Sequence, residues 1–437
     1  MGQARRFKIT GHNDMDWLMS MAMARTVLIH GSGSVVTLDS GDPSEPLRGH
    51  EMSDSRALIR ESGTEILIID GILSDIQSAG SITSEWGESS DIDLINAEGR
   101  CILPSFVDSH THLAWTGDRS NEISMRYQGM SYSDIADSGG GIRSTVQSTR
   151  KSSDLELRHS IKSRIDQAKR LGTARMEAKS GYGLNVETEI RSLMEIKSIA
   201  ESSSMPVEAT WLGAHDFPTD KSKSEYMAEL IEQQLPAVIE NDLASFADVF
   251  CEPGWFSLED TEQICTAAKD GGLGIRLHVD EFVDGGGLEL ATEMGAVSAD
   301  HVAKSNIESR RAADEAGVMQ TFLPGTPYAL GKDLDLPLKE CYDSDYVFSM
   351  ATDYNPNCPS LSLPFVGSLA VHRMGLDPLA ALVAVTRNPA TTMGQNGNEH
   401  RGTIEIGMKS SMLIMNSKNP ESWISSFGSM NNFSMIN

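Results

Sequence analysis

Positive charge is scarce. Lysine and arginine number 36 against 62 aspartates and glutamates, and the 437-residue chain carries a formal charge of −26 at pH 7. No basic run longer than a few residues occurs. Nucleic acid and anionic membrane surfaces both require clustered positive charge, so neither is expected as a partner. Cysteine is also sparse: Cys101, Cys251, Cys265, Cys341 and Cys358 are odd in number, scattered, and form no Cys-x-x-Cys pair. That excludes a disulfide framework and points to a reducing, cytoplasmic setting. No apolar run approaches the roughly 20 residues of a membrane span. A Gly-x-Gly-x-x-Gly turn after an early strand is missing, which counts against a doubly wound dinucleotide-binding sheet. Gly139-Gly140-Gly141 is not followed by Lys-Ser/Thr, so it reads as a tight-turning segment and not as a phosphate cradle.

The patterned parts divide the chain. In residues 1–25, Arg5, Arg6 and Lys8 precede Trp17–Ala24 and loosely imitate a signal peptide, but Asp14 and Asp16 interrupt it. This stretch is expected to be a poorly ordered extension. Residues 26–103 hold short β-type runs (Val27-Leu28-Ile29, Val35 to Leu38, Glu65 to Ile69), with Asp70-Gly71 as a hairpin turn into Ile72–Ile76. The same texture returns in 396–437, at Gly402 to Gly407 and Met412 to Met415. One small β-sandwich domain built from both chain ends is therefore expected. Between them, residues 104–395 alternate. Strand candidates are Cys101–Val107, Thr173–Lys179, Val207–Ala214, Asp248–Cys251, Gly274–Leu277, Ala296–Ala299, Val318–Phe322 and Val347–Thr352. Helical spacing separates several of them, as in Leu157, Ile161, Ile165 and Ala168. Repeated β/α alternation is the pattern of an α/β fold, here a (β/α)8 TIM-like barrel. Two stretches, Trp115–Lys151 and Pro324–Asp345, read as long loops.

Barrel active sites lie where the strands end. The residues there form a consistent set: His110 and His112; Lys179 with Tyr182 just beyond; His215; Glu252; His278 and Glu281; Asp300 and His301; Asp353 and Asn355. Residues i and i+2 of an extended strand share a face, so His110 and His112 can grip one metal ion. Alone the pair fits two unrelated surface histidines equally well; with His278 and Asp353 it becomes a four-ligand set that leaves a position open. A metal there would activate water and polarise a carbonyl. Glu281 and His301 are of the right type to move the proton, and the residues do not decide which is the general base. Lys179 more naturally pairs with an acid than bridges two metals as a carbamate. Arg119 suits a substrate carboxylate, which a guanidinium grips bidentately. Tyr182 suits a planar ring.

Phe106-Val107-Asp108-Ser109-His110-Thr111-His112, with a late Gly-Asn-Glu-rich stretch returning to β texture, resembles the amidohydrolase superfamily of metal-dependent hydrolases. Longer motifs resemble, within it, the imidazolonepropionase family. They are Gly117-Asp118-Arg119, Gln128-Gly129-Met130-Ser131-Tyr132, Lys179-Ser180-Gly181-Tyr182-Gly183-Leu184, Leu212-Gly213-Ala214-His215, Asp248-Val249-Phe250-Cys251-Glu252, Ser298-Ala299-Asp300-His301 and Thr386-Arg387-Asn388. The resemblance runs from about Leu94 to Gly394. It implies hydrolytic ring opening of 4-imidazolone-5-propanoate to N-formimidoyl-L-glutamate in histidine degradation. It makes His110, His112, His278 and Asp353 the ligands of one zinc or iron ion. Arg119, Tyr132, Tyr182, His215 and Glu281 match substrate-holding positions, Asn355 and Asn357 fall where the ring-opened product is contacted, and His301 matches a proton-transfer histidine.

Asp353-Tyr354-Asn355-Pro356-Asn357-Cys358 departs from the commoner Asp-Phe-Asn-Pro-Gly pattern. Asn357 replaces a frequent Gly and is expected to take the left-handed backbone. Cys358 stands where a small hydroxyl residue is common, which weakens that substrate contact. Ser105, where Gly is usual, is a milder departure. A small-molecule substrate and a homodimer, the commonest assembly, are expected. The alternative function is another cyclic amidohydrolase or an aromatic deaminase on the same barrel and metal site.

Overall fold

The computed structural model describes residues 6–7, 26–87, 92–131, 134–135, 138–394, 397–399, 402–429 and 433–436. The expected extension, 1–25, lies outside them except for Arg6–Phe7, which pair in parallel with Leu94–Ile95.

Eight parallel strands run in chain order: Phe106–Asp108, Thr173–Lys179, Val207–Ala214, Phe246–Cys251, Gly274–Val279, Ser298–His301, Met319–Phe322 and Phe348–Met350. Burial on both faces is what lets Thr173–Lys179 and Phe246–Cys251 be buried at every residue. The connecting helices start where the sequence caps them. Ser153 with Glu156 and Ser257 with Asp260 form capping boxes for Asp154–Arg170 and Leu258–Asp270. Leu157, Ile161, Ile165 and Ala168 form the buried stripe of the first, as their spacing predicts.

The barrel closes beyond the regular strands. Thr111 bridges Tyr354 in parallel; Asp353 N donates to His110 O at 3.1 Å, and His112 N to Tyr354 O at 2.8 Å. Arg164 fastens this seam from outside, donating to the carbonyls of Leu113 (2.5 Å) and Trp115 (2.7 Å) and to the Tyr354 hydroxyl (3.2 Å). Its guanidinium also lies 3.6 Å over the Trp115 ring.

Two five-stranded sheets face each other beside the barrel, and both chain ends contribute to them. Val27, Ile29, Ile66 and Ile68 of one sheet share a core with Val35, Ile102, Met412, Ile414 and Ile436 of the other. The Asp70-Gly71 hairpin forms with positive φ at both residues (50° and 79°), the combination a two-residue turn between twisted strands demands.

Two expectations are corrected. Cys101–Val107 is not one strand: Ile102–Pro104 pairs with Met412–Ile414 in the small sheet, and Phe106–Asp108 opens the barrel. Ser105 is the junction, its N–H donating to Ser411 O at 3.2 Å. One apolar run therefore feeds two sheets, which composition alone does not reveal. The stretches read as loops also contain helices, Asn121–Tyr127 and Gly141–Lys151 in the first, Gly325–Ala329 and Leu338–Asp343 in the second. Gly141–Lys151 buries Thr145, Val146 and Thr149 on one face, and with only Ile142 and Val146 as large apolar residues it does not read as a helix by an apolar stripe.

Candidate metal centre and active site

The strand ends bring His110, His112, His278 and Asp353 to one point. His112 Nε2 is 3.4 Å from His278 Nε2 and 3.3 Å from Asp353 Oδ1, and His110 Nε2 is 3.6 Å from the same oxygen. All four residues are buried. Behind them, His110 Nδ1 donates to Asp300 Oδ2 at 2.6 Å and His278 Nδ1 to Asp248 Oδ1 at 3.0 Å. With the protons on Nδ1, both Nε2 atoms present lone pairs to the centre. His110 Nε2 has no hydrogen-bond partner among the described residues. A buried lone pair without a donor is costly inside a protein, and a cation at this point removes that cost. Three imidazoles and one carboxylate fit a zinc or iron ion. Asp353 itself is braced by the Thr326 hydroxyl.

Charge in the site follows from burial. It pushes His110 and His215 well below the ordinary imidazole range, so both are neutral rings with a single proton, the one each donates from Nδ1. Burial opposes ionisation of Asp353, but the bond to His112 and the neighbouring imidazoles hold its carboxyl below the usual range. Glu281 Oε2 lies 3.7 Å from His301 Nε2. Burial first, then the charge of Asp353, raises Glu281 to about 8. Burial depresses His301 to about 3. Glu281 is presented by a corner at Asp280, a non-glycine residue with φ of 52°; its N–H donates to Glu252 Oε1 at 2.5 Å. His301 (φ 73°) and Asp353 (φ 49°) share that left-handed backbone, which concentrates at functional sites because the surrounding fold must enforce it.

Tyr182 and His215 stand over the centre. His215 stacks on His112 (centroids 5.1 Å apart, planes at 20°) and donates from Nδ1 to Gly181 O at 2.9 Å. Tyr182 meets both rings edge-on, at 6.0 and 5.1 Å. Lys179 pairs with acids, 2.7 Å from both Glu177 and Asp248.

The remaining expected residues are placed differently. Arg119 turns Nε and Nη2 to Glu122 in a bidentate pair at 2.8 and 2.9 Å, both side chains buried. Tyr132 lies outside the described residues. Asn355 shapes its own turn: Oδ1 accepts from the N–H groups of Asn357 (2.8 Å) and Cys358 (3.1 Å), and Nδ2 donates to Asp353 O at 2.8 Å. Asn357 does not take the left-handed backbone; in this segment Asp353 does, because the strand must turn sharply at the seam. Cys358 is buried with its thiol 4.0 Å from Thr352 O, whereas the Asn357 side-chain oxygen has no partner among the described residues. Sequence reading assigned no role to Asp248, Asp300, Glu122 or Thr326. The signal for Asp248 was a carboxylate alternating with Ala247 and Val249 inside a strand, which only a buried partner justifies.

No protein-family profile matches the chain. Whole-protein relatives do. The imidazolonepropionase of Symbiobacterium thermophilum is 36% identical over 401 residues, covering 91% of this chain and 92% of that one. That of Bacteroides thetaiotaomicron is 41% identical over 329 residues, 74% of this chain and 78% of the relative. Among solved structures, a 5-methylcytosine deaminase from Klebsiella pneumoniae superposes with a TM-score of 0.67 at 15% identity, over 93% of this chain and 94% of that one. A guanine deaminase from C. acetobutylicum gives 0.63 at 13% identity, over 93% and 97%. At such identity these likenesses concern the fold. The long relatives, at a third or more identity across most of both chains, decide the matter: this chain belongs to the imidazolonepropionase family.

Proposed function

We propose that this chain hydrolyses the cyclic amide of 4-imidazolone-5-propanoate, opening the ring to N-formimidoyl-L-glutamate. The observation that carries the reading is the convergence of His110, His112, His278 and Asp353 beside the Glu281–His301 pair. Those four residues would hold one zinc or iron ion, which supplies Lewis acidity toward the ring carbonyl and lowers the pKa of the attacking water. The reaction puts the water oxygen on the carbonyl carbon, breaks the ring C–N bond, and leaves a proton on the departing nitrogen. Glu281 and His301, 3.7 Å apart beside the four ligands, are the pair suited to carry that proton from the water to the departing nitrogen. Tyr182 and His215 supply flat faces for the ring, and Asn357 a side-chain oxygen for an N–H. Arg119, its Nε and Nη2 held by Glu122, is the cation we assign to the propanoate. That carboxylate contact favours this substrate over an aromatic deaminase substrate, which lacks an acid group. The working form is taken to be a cytoplasmic homodimer.

The test is an absorbance assay of purified, metal-analysed protein with imidazolonepropanoate. Loss of ring absorbance in the metal-loaded protein is the expected result. No turnover with metal bound, together with ammonia release from an aromatic amine, would move the assignment to a deaminase.

A further inference from the structure

Lys179 lies outside both the proposed ligand set and the proposed proton path, yet it is wholly buried, as are Glu177, Asp248, Arg276 and Asp300 around it. Its Nζ is 2.7 Å from Glu177 Oε1, 2.7 Å from Asp248 Oδ2 and 3.9 Å from Asp300 Oδ2. Lys179, Asp248 and Asp300 come from the second, fourth and sixth barrel strands, and alternate strands fill one layer of a barrel interior. The two aspartates are the groups that accept the Nδ1 protons of His278 and His110. A continuous chain of contacts thus runs His278–Asp248–Lys179–Asp300–His110. Arg276 does not substitute for the lysine. It approaches Glu177 at 3.4 Å, but its other nitrogens donate to Ser298 and Thr392.

We propose that Lys179 is a positioning residue of the metal centre, its ammonium cross-linking the two carboxylates that orient His110 and His278. This rests on the metal-centre reading above and extends it one layer deeper. Without the ammonium, Asp248 and Asp300 become neighbouring buried anions lacking their shared cation, and their separation relaxes. The imidazoles turn with them, so the Nε2 atoms no longer meet at one point. Three carboxylates lie within 3.9 Å of Nζ, the environment of a protonated amine and not of a carbamate.

The experiment compares zinc affinity, by chelator competition, in the full-length parent and in Lys179→Met. A second variant, Lys179→Met/Glu177→Gln, removes one positive and one negative charge together and leaves both outer aspartates intact; the glutamine still accepts from the Thr210 hydroxyl, 2.5 Å from Glu177. Apo and zinc-bound melts are recorded for each. Outer partners of metal-bound histidines are typically worth about 10- to 100-fold in affinity, and a loss of that size in a cooperatively melting variant is expected. Zinc binding within about twofold of the parent would overturn the proposal. So would a parent mass showing a carbamate on Lys179. If neither variant melts cooperatively even with saturating zinc, the lysine serves the fold and the proposal also falls. A parent that binds no zinc would instead overturn the metal centre itself.

Discussion

Replacing Arg119 with Met separates the buried pair with Glu122 from the carboxylate grip proposed for the same side chain. Arg119 and Glu122 bury their charges together at 4% and 2% side-chain exposure. Breaking such a pair by removing one partner costs about 3–5 kcal/mol. Glu122 keeps two consolations, the Gly141 N–H at 2.8 Å and Arg126 Nη1 at 3.5 Å, so the lower end, about 3 kcal/mol, is expected in urea denaturation. The catalytic effect is distinct. A hydrogen bond to a charged group contributes about 1.5–3 kcal/mol, and a tenfold change corresponds to about 1.4 kcal/mol, so KM for imidazolonepropanoate should rise roughly 10- to 150-fold with kcat little changed. The double variant Arg119→Met/Glu122→Met removes the buried pair entirely and should recover most of the stability, because apolar replacements of buried pairs are often neutral. It should not recover KM. An unchanged KM in Arg119→Met, or a KM that returns with stability in the double variant, would refute the carboxylate grip and leave only a structural pair.

Three further outcomes are expected. Asp248→Asn should weaken zinc or iron binding about 10- to 100-fold, read by metal content after dialysis against a chelator, since His278 loses the anion behind its Nδ1. Glu252 is raised by burial from 4.5 to about 7 in the folded protein, so the folded state binds the extra proton between those values and stability falls as pH rises through that window. Glu252→Gln should flatten that segment of the stability–pH curve, by on the order of 1–2 kcal/mol after allowing for solvent screening; a curve parallel to the parent's would contradict the shift. Arg164→Met should destabilise by about 1–3 kcal/mol, because the Trp115 carbonyl loses its donor and that of Leu113 keeps only the Trp115 N–H at 3.2 Å, measurable as a lower urea midpoint.

The barrel and the convergence of His110, His112, His278 and Asp353 were legible in sequence because each rests on a repeated local signal. Strands buried on both faces read as apolar runs, and a histidine or aspartate at several strand ends is an improbable recurrence. What stayed hidden depends on partners distant in the chain. Glu122 looks like a surface acid until Arg119 and Gly141 enclose it. Asp300 reads as a strand-end residue like His301 beside it, and only the fold shows that it faces His110. The left-handed position after the eighth strand was placed on Asn357 by residue type, whereas the turn falls on Asp353, where closure of the barrel requires it. Pro104-Ser105 shows the same limit: nothing local marks the residue at which one extended run changes sheets.

The closing seam has a consequence for how the molecule comes into being. His110 and Asp353 are 243 positions apart in the chain (353 − 110), and their direct backbone bond forms only when the last barrel strand meets the first. Contacts of such long range are entropically expensive to nucleate and arrive late in folding. A nascent chain released before its eighth strand would carry three of the four converging residues and no closed ring to hold them. Assembly is therefore self-proofing: Asp353 joins the three histidines in the same event that forms the closing bonds at Asp353 and Tyr354.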